Sequence, residues 1–323
     1  MNKAKEKFYN EIKQTVQNFL GYQYLVSVQT VEKTNVTLTG LCIRERTCNI
    51  APTIYLEEYY EAYNDNAGLS VERIAEEIIR VYRQNRPSGD FNINTFSNFA
   101  SLKERIAYKI INRKMNESLL EKVPYVPFLD LAIVFYVVLE KKQDCNATVL
   151  IHNSHMEMWK TNVKELFDLA TVNTRKIFAP EVKTMDEVMR EILKEQTFGK
   201  ALEEVTDREL DEIFGLTEPA EKCPMYVLSN VQKLNGACAI LYNDVLKNIA
   251  KRVGSDLWIL PSSIHETLLI PHEAGQSFEE LKKMVQEVNE TTLEACDILS
   301  DHPYFYSLKE NRISIRTEIL FAV

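Results

Sequence analysis

The longest uninterrupted apolar run in the chain is the feature that most constrains its fold. It covers nine residues, Leu131–Leu139, whereas a helix needs roughly 20 apolar residues to cross a bilayer. A run of this length is typical of a β-strand that is buried in a protein core. We therefore predict a strand at this position and no membrane-spanning segment.

Short apolar segments of strand length occur in pairs, and each pair is followed by a segment with the periodicity of an amphipathic helix. Such ββα units favour antiparallel sheets, because two strands that are joined by a short turn pair antiparallel. We therefore predict an α+β fold with mainly antiparallel sheets covered by helices. The three units are strands 25–31 and 36–43 with helix 53–63, strands 131–139 and 147–151 with helix 163–174, and strands 225–228 and 237–241 with helix 244–252.

Two further helices are predicted near the N-terminus. In the first, over 3–19, Phe8, Ile12 and Val16 recur at a spacing of four, which places them on one face. The second follows Ser70, a residue type that caps helix N-termini. Both segments therefore have one apolar face that can pack on a sheet.

A strongly acidic segment divides the chain. Residues 186–212 contain ten acidic and four basic side chains, and Gly215 and Pro219 follow. A charged helical segment that ends in glycine and proline is typical of a boundary between domains. We predict an N-terminal α+β domain at 1–184, an acidic helical linker at 185–222 and a C-terminal α+β domain at 223–323.

The overall charge argues against a protein whose main task is to bind nucleic acid. The chain has 38 Lys and Arg residues against 47 Asp and Glu residues, whereas nucleic-acid-binding proteins carry basic surfaces. Segment 73–114 is an exception, with nine basic and four acidic residues. It has no helix-turn-helix pattern, so a solvated basic face is the favoured interpretation and weak nucleic-acid binding is the alternative.

The cysteines and the first residues of the chain indicate a cytoplasmic protein. Six cysteines are present without a CxxC pair or a tight cluster, as expected for reduced thiols. The first residues lack the apolar core of a secretory signal peptide. Cys42 and Cys48 flank a short charged segment, and a redox pair or a thiol nucleophile there is a minor alternative.

The densest group of polar side chains follows a predicted strand at 256–260. It comprises Ser262, Ser263, His265 and Glu266, and functional groups are common in loops at strand ends. A hydrolase or transferase could use Ser263 as nucleophile or orienting hydroxyl, His265 as general base and Glu266 to orient that base. Ser262 is then a binding residue. The structural alternative is that the hydroxyls satisfy backbone groups of the turn while His265 packs beneath them.

Two histidines three residues apart, His152 and His155, follow the strand at 147–151. They could bind a metal ion if the loop were helical. No third ligand lies at a recognisable spacing, so we predict no metal site. The motifs of zincins, α/β-hydrolases, P-loop NTPases and Rossmann enzymes are all missing, and the sequence leaves the cofactor unknown.

Tyrosines are concentrated after Pro52. Tyr55, Tyr59 and Tyr60 lie in the segment predicted as helix 53–63 and alternate with glutamates. Tyrosines of this kind commonly line protein interfaces, so the three are candidate binding residues. A stripe that faces the core is the alternative interpretation.

Several strings of this sequence resemble an uncharacterised bacterial family, a domain of unknown function. The resemblance extends from about Val36 to Tyr306. Members occur in anaerobic Gram-positive bacteria, often near mobile-element genes. The family has no assigned activity, cofactor or catalytic residue, so the resemblance implies a bacterial cytoplasmic protein and nothing about its chemistry. The strings are NIAPTIYLEEYYEAY at 49–63, FLDLAIVFYVVL at 128–139, NTRKIFAPE at 173–181, MYVLSN at 225–230 and ILPSSIHETLLIP at 259–271.

These observations together favour a bacterial cytoplasmic accessory protein that acts by binding another macromolecule, with a protein as the expected partner. The missing catalytic motifs, the uneven charge and the tyrosine-rich segment support this hypothesis. A hydrolase or transferase that uses the turn at 262–266 is the first alternative. Weak nucleic-acid binding through 73–114 is the second. The sequence leaves the oligomeric state undetermined.

Overall fold

The structure is a computed structural model of the chain. The described residues are 3–48, 52–66, 68–85, 96–142, 145–198, 225–242, 244–272 and 277–316. Two compact units divide the chain, Met1–Asn98 and Phe99–Val323.

The first unit packs helices on one face of a three-stranded antiparallel sheet. Its elements are α1 (Lys3–Leu20), β1 (Tyr24–Lys33), β2 (Val36–Glu45), β3 (Thr53–Tyr55), α2 (Glu57–Asp65) and α3 (Val71–Gln84). The sheet has the order β1–β2–β3, and β1 and β2 form the predicted hairpin. Asn35 takes the left-handed conformation (φ 62°) at its turn, which is common in tight hairpin turns.

The core of the first unit follows from the spacing of apolar residues. One face of α1 and one face of α3 are buried against alternate residues of β1 and β2. Burial of each such side chain contributes roughly 1.5–3 kcal/mol. The Ser70 hydroxyl accepts a hydrogen bond from the Arg73 N–H at 3.4 Å and caps α3 as predicted. The buried side chains include Phe8, Ile12, Val16, Val26, Leu41, Ile43, Ile74 and Ile78.

The helix predicted at 53–63 begins later, which is a correction to the sequence analysis. Residues 53–55 form β3, where Tyr55 pairs with Gly40 of β2, and the Leu56 N–H donates to the Thr39 carbonyl at 3.0 Å. The free edge of β2 gives these residues backbone partners that a helical first turn lacks. Tyr55 therefore lies in the sheet, whereas Tyr59 and Tyr60 lie on α2.

In the second unit, a four-stranded antiparallel sheet is built around the long apolar run. Its elements are α4 (Phe99–Leu102), β4 (Ile106–Asn112), α5 (Glu117–Leu120), β5 (Tyr125–Phe128), β6 (Leu131–Lys142), β7 (Cys145–Leu150), α6 (Asn153–Trp159) and α7 (Val163–Ile177). Strand β6 pairs with β4 on one side and with β5 and then β7 on the other. The prediction of a buried strand at Leu131–Leu139 is confirmed.

A six-stranded antiparallel sheet forms the rest of the second unit, in the order β13–β12–β10–β11–β9–β8. These strands and their helices are β8 (Pro180–Thr184), α8 (Met185–Phe198), β9 (Tyr226–Asn230), α9 (Val245–Val253), β10 (Leu257–Pro261), β11 (Thr267–Pro271), α10 (Phe278–Thr291), β12 (Tyr304–Ser307) and β13 (Arg312–Ser314). Helix α10 packs on this sheet, where its Phe278, Leu281 and Val285 contact Trp258 and Leu260.

The predicted domain limits stay a prediction. The strands on either side of the predicted linker belong to one sheet. Strand β8, which precedes the predicted linker at 185–222, pairs with β9, which follows it. Of that linker, α8 is described, and 199–222 lie outside the described residues.

The strand predicted at 237–241 is a 3₁₀ helix, Gly236–Leu241, so the third ββα unit is wrong. Both edges of β9 are already occupied, by β8 and by β11. A segment that follows β9 therefore finds no free edge with which to form a hairpin. The left-handed Asn235 (φ 52°) turns the chain into the 3₁₀ helix instead.

The predicted α+β class with mainly antiparallel sheets is confirmed. Within the described part of the chain, no helix is long and apolar enough to cross a membrane.

Candidate functional site

The predicted catalytic turn, 262–266, is the loop of the hairpin between β10 and β11, in which Pro261 pairs with Thr267. The loop is closed by its own hydrogen bonds. The Ser263 N–H donates to the Glu266 carbonyl at 3.1 Å, and the Ser263 hydroxyl accepts from the His265 N–H at 3.0 Å. Ser263 therefore satisfies the backbone of the turn.

Neighbouring segments also bind the backbone of this loop. The Ser229 hydroxyl of β9 donates to the His265 carbonyl at 2.8 Å, and the Ile264 N–H donates to the Asp297 carbonyl at 2.8 Å. A Cβ atom on Gly236 would lie 2.4 Å from the His265 carbonyl oxygen. The glycine is needed because the two backbones approach this closely.

Both ring nitrogens of His265 face a partner. Nδ1 accepts a hydrogen bond from the Asn235 N–H at 3.1 Å, so the ring proton is on Nε2. Nε2 lies 3.5 Å from Oδ1 of Asp297. A general base needs a free ring nitrogen that faces the nucleophile, and in this arrangement neither nitrogen faces Ser263.

The remaining side chains of the turn do not complete a catalytic arrangement with His265. The side chains of Ser262 and Glu266 are partly exposed and take no part in the bonds that close the loop. Three surface cavities of about 430, 190 and 450 Å³ have walls made by other residues. The structure thus brings Ser263 and His265 together through the backbone of the turn.

Cys296 and Asp297 lie beside the turn, a position that no pattern in the sequence indicates. The Cys296 sulfur is 3.7 Å from Oδ1 of Asp297, the same oxygen that faces His265. Burial, together with the Asp297 carboxylate, raises the pKa of the Cys296 thiol. A protonated thiol is a weak nucleophile, so this neighbourhood does not activate Cys296.

The three candidate tyrosines have different surroundings. Tyr60 packs in the core of the first unit, with its ring centroid 5.4 Å from that of Phe8. Tyr59 also packs against that core, where burial and the carboxylates of Glu77 and Glu58 raise its pKa. Tyr55 contacts the Lys33 ammonium instead, which lies 4.1 Å from its ring centroid.

Tyr55 belongs to the side of the three-stranded sheet that faces away from α1 and α3, which we call the outer face. Among the described residues, no side chain of this face belongs to the core cluster of the first unit. Strand pairing places twelve residues on it. They are Leu25, Ser27, Gln29, Val31, Lys33, Val36, Leu38, Gly40, Cys42, Arg44, Thr53 and Tyr55.

Side chains in the middle of the outer face are in close contact with one another. A Cβ atom on Gly40 would lie 2.3 Å from Cγ2 of Thr53, so side chains from the neighbouring strands cover this position. Gln29 donates to the Cys42 sulfur at 2.8 Å, and Cys42 is 3.1 Å from the Thr53 hydroxyl. Cys42 is a free, buried thiol within this network.

His152 and His155 lie at the start of α6. His155 Nδ1 accepts a hydrogen bond from the His152 N–H at 3.1 Å, and burial, with His152 nearby, lowers the pKa of His155. Across the described ranges, no group of three or more His, Cys, Asp or Glu side chains is arranged to hold a metal ion. The two imidazoles thus lack a third ligand among these residues.

The basic segment 73–114 is divided between the two compact units at residue 98, and its residues 86–95 lie outside the described ranges. Several of its cations already have partners. Arg80 pairs with Glu77, and Lys103 pairs with Glu165 at 2.8 Å. Pairing of this kind neutralises charge that phosphate groups would otherwise contact.

These features define a class: an α+β protein of two compact units whose sheets are mainly antiparallel. The chain belongs to the family of unknown function DUF5688, whose profile matches residues 5–308. The resemblance to an uncharacterised family is thereby confirmed. In comparisons with curated proteins and with solved structures, none matches the chain.

Proposed function

We propose that this protein binds a segment of another protein through the outer face of the sheet β1–β2–β3. A single observation carries the proposal: this face combines partly exposed apolar side chains with two cations and no carboxylate. The apolar side chains are Leu25, Val31, Val36, Leu38 and Tyr55. Exposed apolar clusters with a polar surround are typical of interaction sites.

The charge of the outer face specifies the chemistry of the partner. Lys33 and Arg44 are its only charged residues, in a chain whose net charge is −9. The two cations lie at opposite ends of the hairpin, because Lys33 pairs with Val36 and Arg44 pairs with Leu25. Lys33 is eight positions from Leu25 along β1, which is about 26 Å at the rise of a strand.

The partner that fits this face is an acidic, amphipathic segment. Its apolar side chains would cover Leu38 and Tyr55, and carboxylates at its two ends would approach Lys33 and Arg44. Complementary charge of this kind fixes the register of the segment along the hairpin and speeds association. The apolar centre contributes most of the affinity, as in other interfaces. We place this binding in a bacterial cytoplasm, near mobile-element functions, where the resemblance puts the family.

A selection from a library of displayed 20-residue peptides tests the proposal. The full-length protein serves as bait, and Leu38→Glu, which puts a carboxylate at the centre of the outer face, serves as the counter-selection. Thr37→Glu is the matched control, because Thr37 is exposed on the same strand but points to the opposite side. We expect enriched peptides to be acidic and apolar, and to bind the Thr37→Glu variant like the unmodified protein.

Two results would refute this function. One is a selection that enriches no sequence above the naive library. The other is a set of peptides that bind the Leu38→Glu variant as well as the unmodified protein. Sedimentation of the protein alone adds a third check: a dimer that Leu38→Glu dissociates would make a second copy the occupant and overturn the proposal of a different protein.

The hydrolase or transferase that uses Ser263, His265 and Glu266 stays a hypothesis. It requires the His265 ring to give up the hydrogen bond from Asn235 or the contact with Asp297 before it can act as a base. Nucleic-acid binding through 73–114 also stays a hypothesis, and a loss of affinity with added salt would be its signature.

A further inference from the structure

A second group of polar side chains lies at the turn between β5 and β6. Leu129 is left-handed there (φ 55°), and the next residue, Asp130, accepts hydrogen bonds from three side chains. They are Nε2 of His302 at 3.2 Å, the Tyr304 hydroxyl at 2.8 Å and the Ser300 hydroxyl at 3.3 Å. Ser300 and His302 belong to the segment that leads into β12, and Tyr304 is the first residue of that strand.

The His302 ring has an acceptor at each nitrogen. Nδ1 lies 3.1 Å from the Pro303 carbonyl oxygen, which can only accept, and Nε2 faces the Asp130 carboxylate. A ring that donates from both nitrogens carries both protons and is an imidazolium. The side chains of His302 and Asp130 are only 16% and 32% exposed, so solvent screens this ion pair weakly.

The pKa values agree with this geometry. Burial lowers the pKa of His302, but its hydrogen bonds to Asp130 and to the Pro303 carbonyl outweigh burial and raise it above the ordinary value. Burial raises the pKa of Asp130, but the hydrogen bonds from His302 and Tyr304 outweigh it and lower that pKa. The titratable groups that face the His302 ring are Asp130 from the β5–β6 turn, Asp301 from its own segment and Tyr304 from β12.

The ion pair joins the two sheets of the second unit. Asp130 lies in the turn between β5 and β6 of the four-stranded sheet, and His302 precedes β12 of the six-stranded sheet. One further hydrogen bond links the same parts, from the Asn112 amide to the Leu299 carbonyl at 3.1 Å. Loss of the ion pair would therefore loosen segment 299–303, while the Asn112 amide still holds Leu299 and the Ser300 and Tyr304 hydroxyls still donate to Asp130.

We propose that Asp130 and His302 form a pH-sensitive latch that holds segment 299–303 against the β5–β6 turn at mildly acidic pH and releases it as the pH rises. Release follows from the loss of one proton. The neutral ring can donate from only one nitrogen, so either the Pro303 carbonyl or the Asp130 carboxylate loses its hydrogen bond.

The direction of the pH dependence follows from linkage. A raised pKa in the latched state means that the latch is fully stabilised below the unperturbed histidine pKa of about 6.5. The stabilisation is lost as the pH rises from there through the higher pKa of the latched ring. Within that window the population of the open form rises with pH, by at most about tenfold for each pH unit, because one proton is released.

The test combines a histidine titration with hydrogen exchange on the full chain. The chain has five histidines, and the NMR signal that disappears in His302→Gln identifies the His302 ring. We expect this ring to titrate above about 6.5 in the unmodified protein and at a lower pH in Asp130→Asn. His272→Gln removes an exposed histidine of the same unit and serves as the matched control.

Hydrogen exchange measures the release itself. We expect the amides at 299–302 and 129–131 to be better protected in the unmodified protein than in His302→Gln at pH 6. The ratio of the two protection factors should fall towards one by pH 9. The ratio of protection in the unmodified protein to protection in His272→Gln should stay constant between pH 6 and pH 9. A His302 ring that titrates no higher than in Asp130→Asn, or a protection ratio that does not change with pH, would overturn the latch.

Discussion

Two histidine–aspartate pairs in the second unit have similar distances but opposite chemistry. His265 Nε2 lies 3.5 Å from Asp297, and His302 Nε2 lies 3.2 Å from Asp130. The difference is at the other ring nitrogen. Nδ1 of His265 accepts from a backbone N–H, whereas Nδ1 of His302 faces a backbone carbonyl.

This difference decides the charge of each ring. A backbone N–H at Nδ1 is compatible only with an unprotonated Nδ1, so His265 is neutral in this arrangement. A carbonyl at Nδ1 favours a second proton, so His302 is an imidazolium. The comparison shows that a carboxylate near a histidine does not define its role. The backbone group on the far side of the ring must be known as well.

The largest expected loss of stability comes from a change at Gly236, which follows the residue whose N–H binds His265. Gly236→Ala would place a Cβ atom 2.4 Å from the His265 carbonyl oxygen and 2.8 Å from the Asn230 nitrogen. We expect a loss of about 3 kcal/mol in the free energy of unfolding, because neither backbone can move aside cheaply. Urea denaturation measures it. Gly68→Ala is the control, because the nearest atom to its Cβ would lie 3.4 Å away. Equal losses of stability in the two variants would contradict the explanation by close backbone contact.

A change in the charged pair, Asp130 and His302, should cause the next largest loss of stability. Asp130→Asn removes the carboxylate that accepts from His302, Tyr304 and Ser300. We expect a loss of about 2 kcal/mol in the free energy of unfolding at pH 6, as for hydrogen bonds to charged groups. The loss should shrink as the pH rises, because the partner ring then becomes neutral. A loss of the same size at pH 6 and pH 9 would contradict the assignment of charge to His302.

A change in the pair with the neutral ring, Asp297 and His265, should cause the smallest loss of stability. Asp297→Asn replaces a partly exposed carboxylate that lies 3.5 Å from a neutral ring, and its backbone carbonyl still accepts from Ile264. We expect a change of no more than about 0.5 kcal/mol, as for an exposed pair. Urea denaturation of both asparagine variants, at one pH, gives the comparison directly. A loss as large as that of Asp130→Asn would show that the two pairs do not differ in the way described.

Periodicity and turn residues predicted much of the fold. The apolar run at 131–139, the hairpin at 25–43 and the helices near Phe8 and Ser70 are all confirmed. In each case the signal is local, because the alternation or the spacing of four is contained within one element. The errors occur where the secondary structure of a segment depends on a strand that is distant in the sequence. Residues 53–55 bind the free edge of β2, and residues 237–241 find no free edge of β9.

The candidate site could be predicted only in part. The turn at 262–266 is apparent from its residues, but its hydrogen bonds to Ser229, Asn235 and Asp297 are not, because those residues lie in other parts of the chain. Of the outer face, the sequence indicated Tyr55 as a candidate binding residue and Cys42 as a minor thiol candidate. Its remaining residues become a surface only when β1, β2 and β3 pair in register.

The sequence by itself determined the α+β class, the membership of the family and the positions of most helices and strands. These properties depend on short-range patterns of apolar and capping residues. The tertiary structure alone decided which groups meet, since Tyr304 and Asp130 are 174 positions apart and only the path of the chain brings them together. It also decided how the His265 and His302 rings differ in charge, because protonation depends on the acceptors and donors that folding places around a ring.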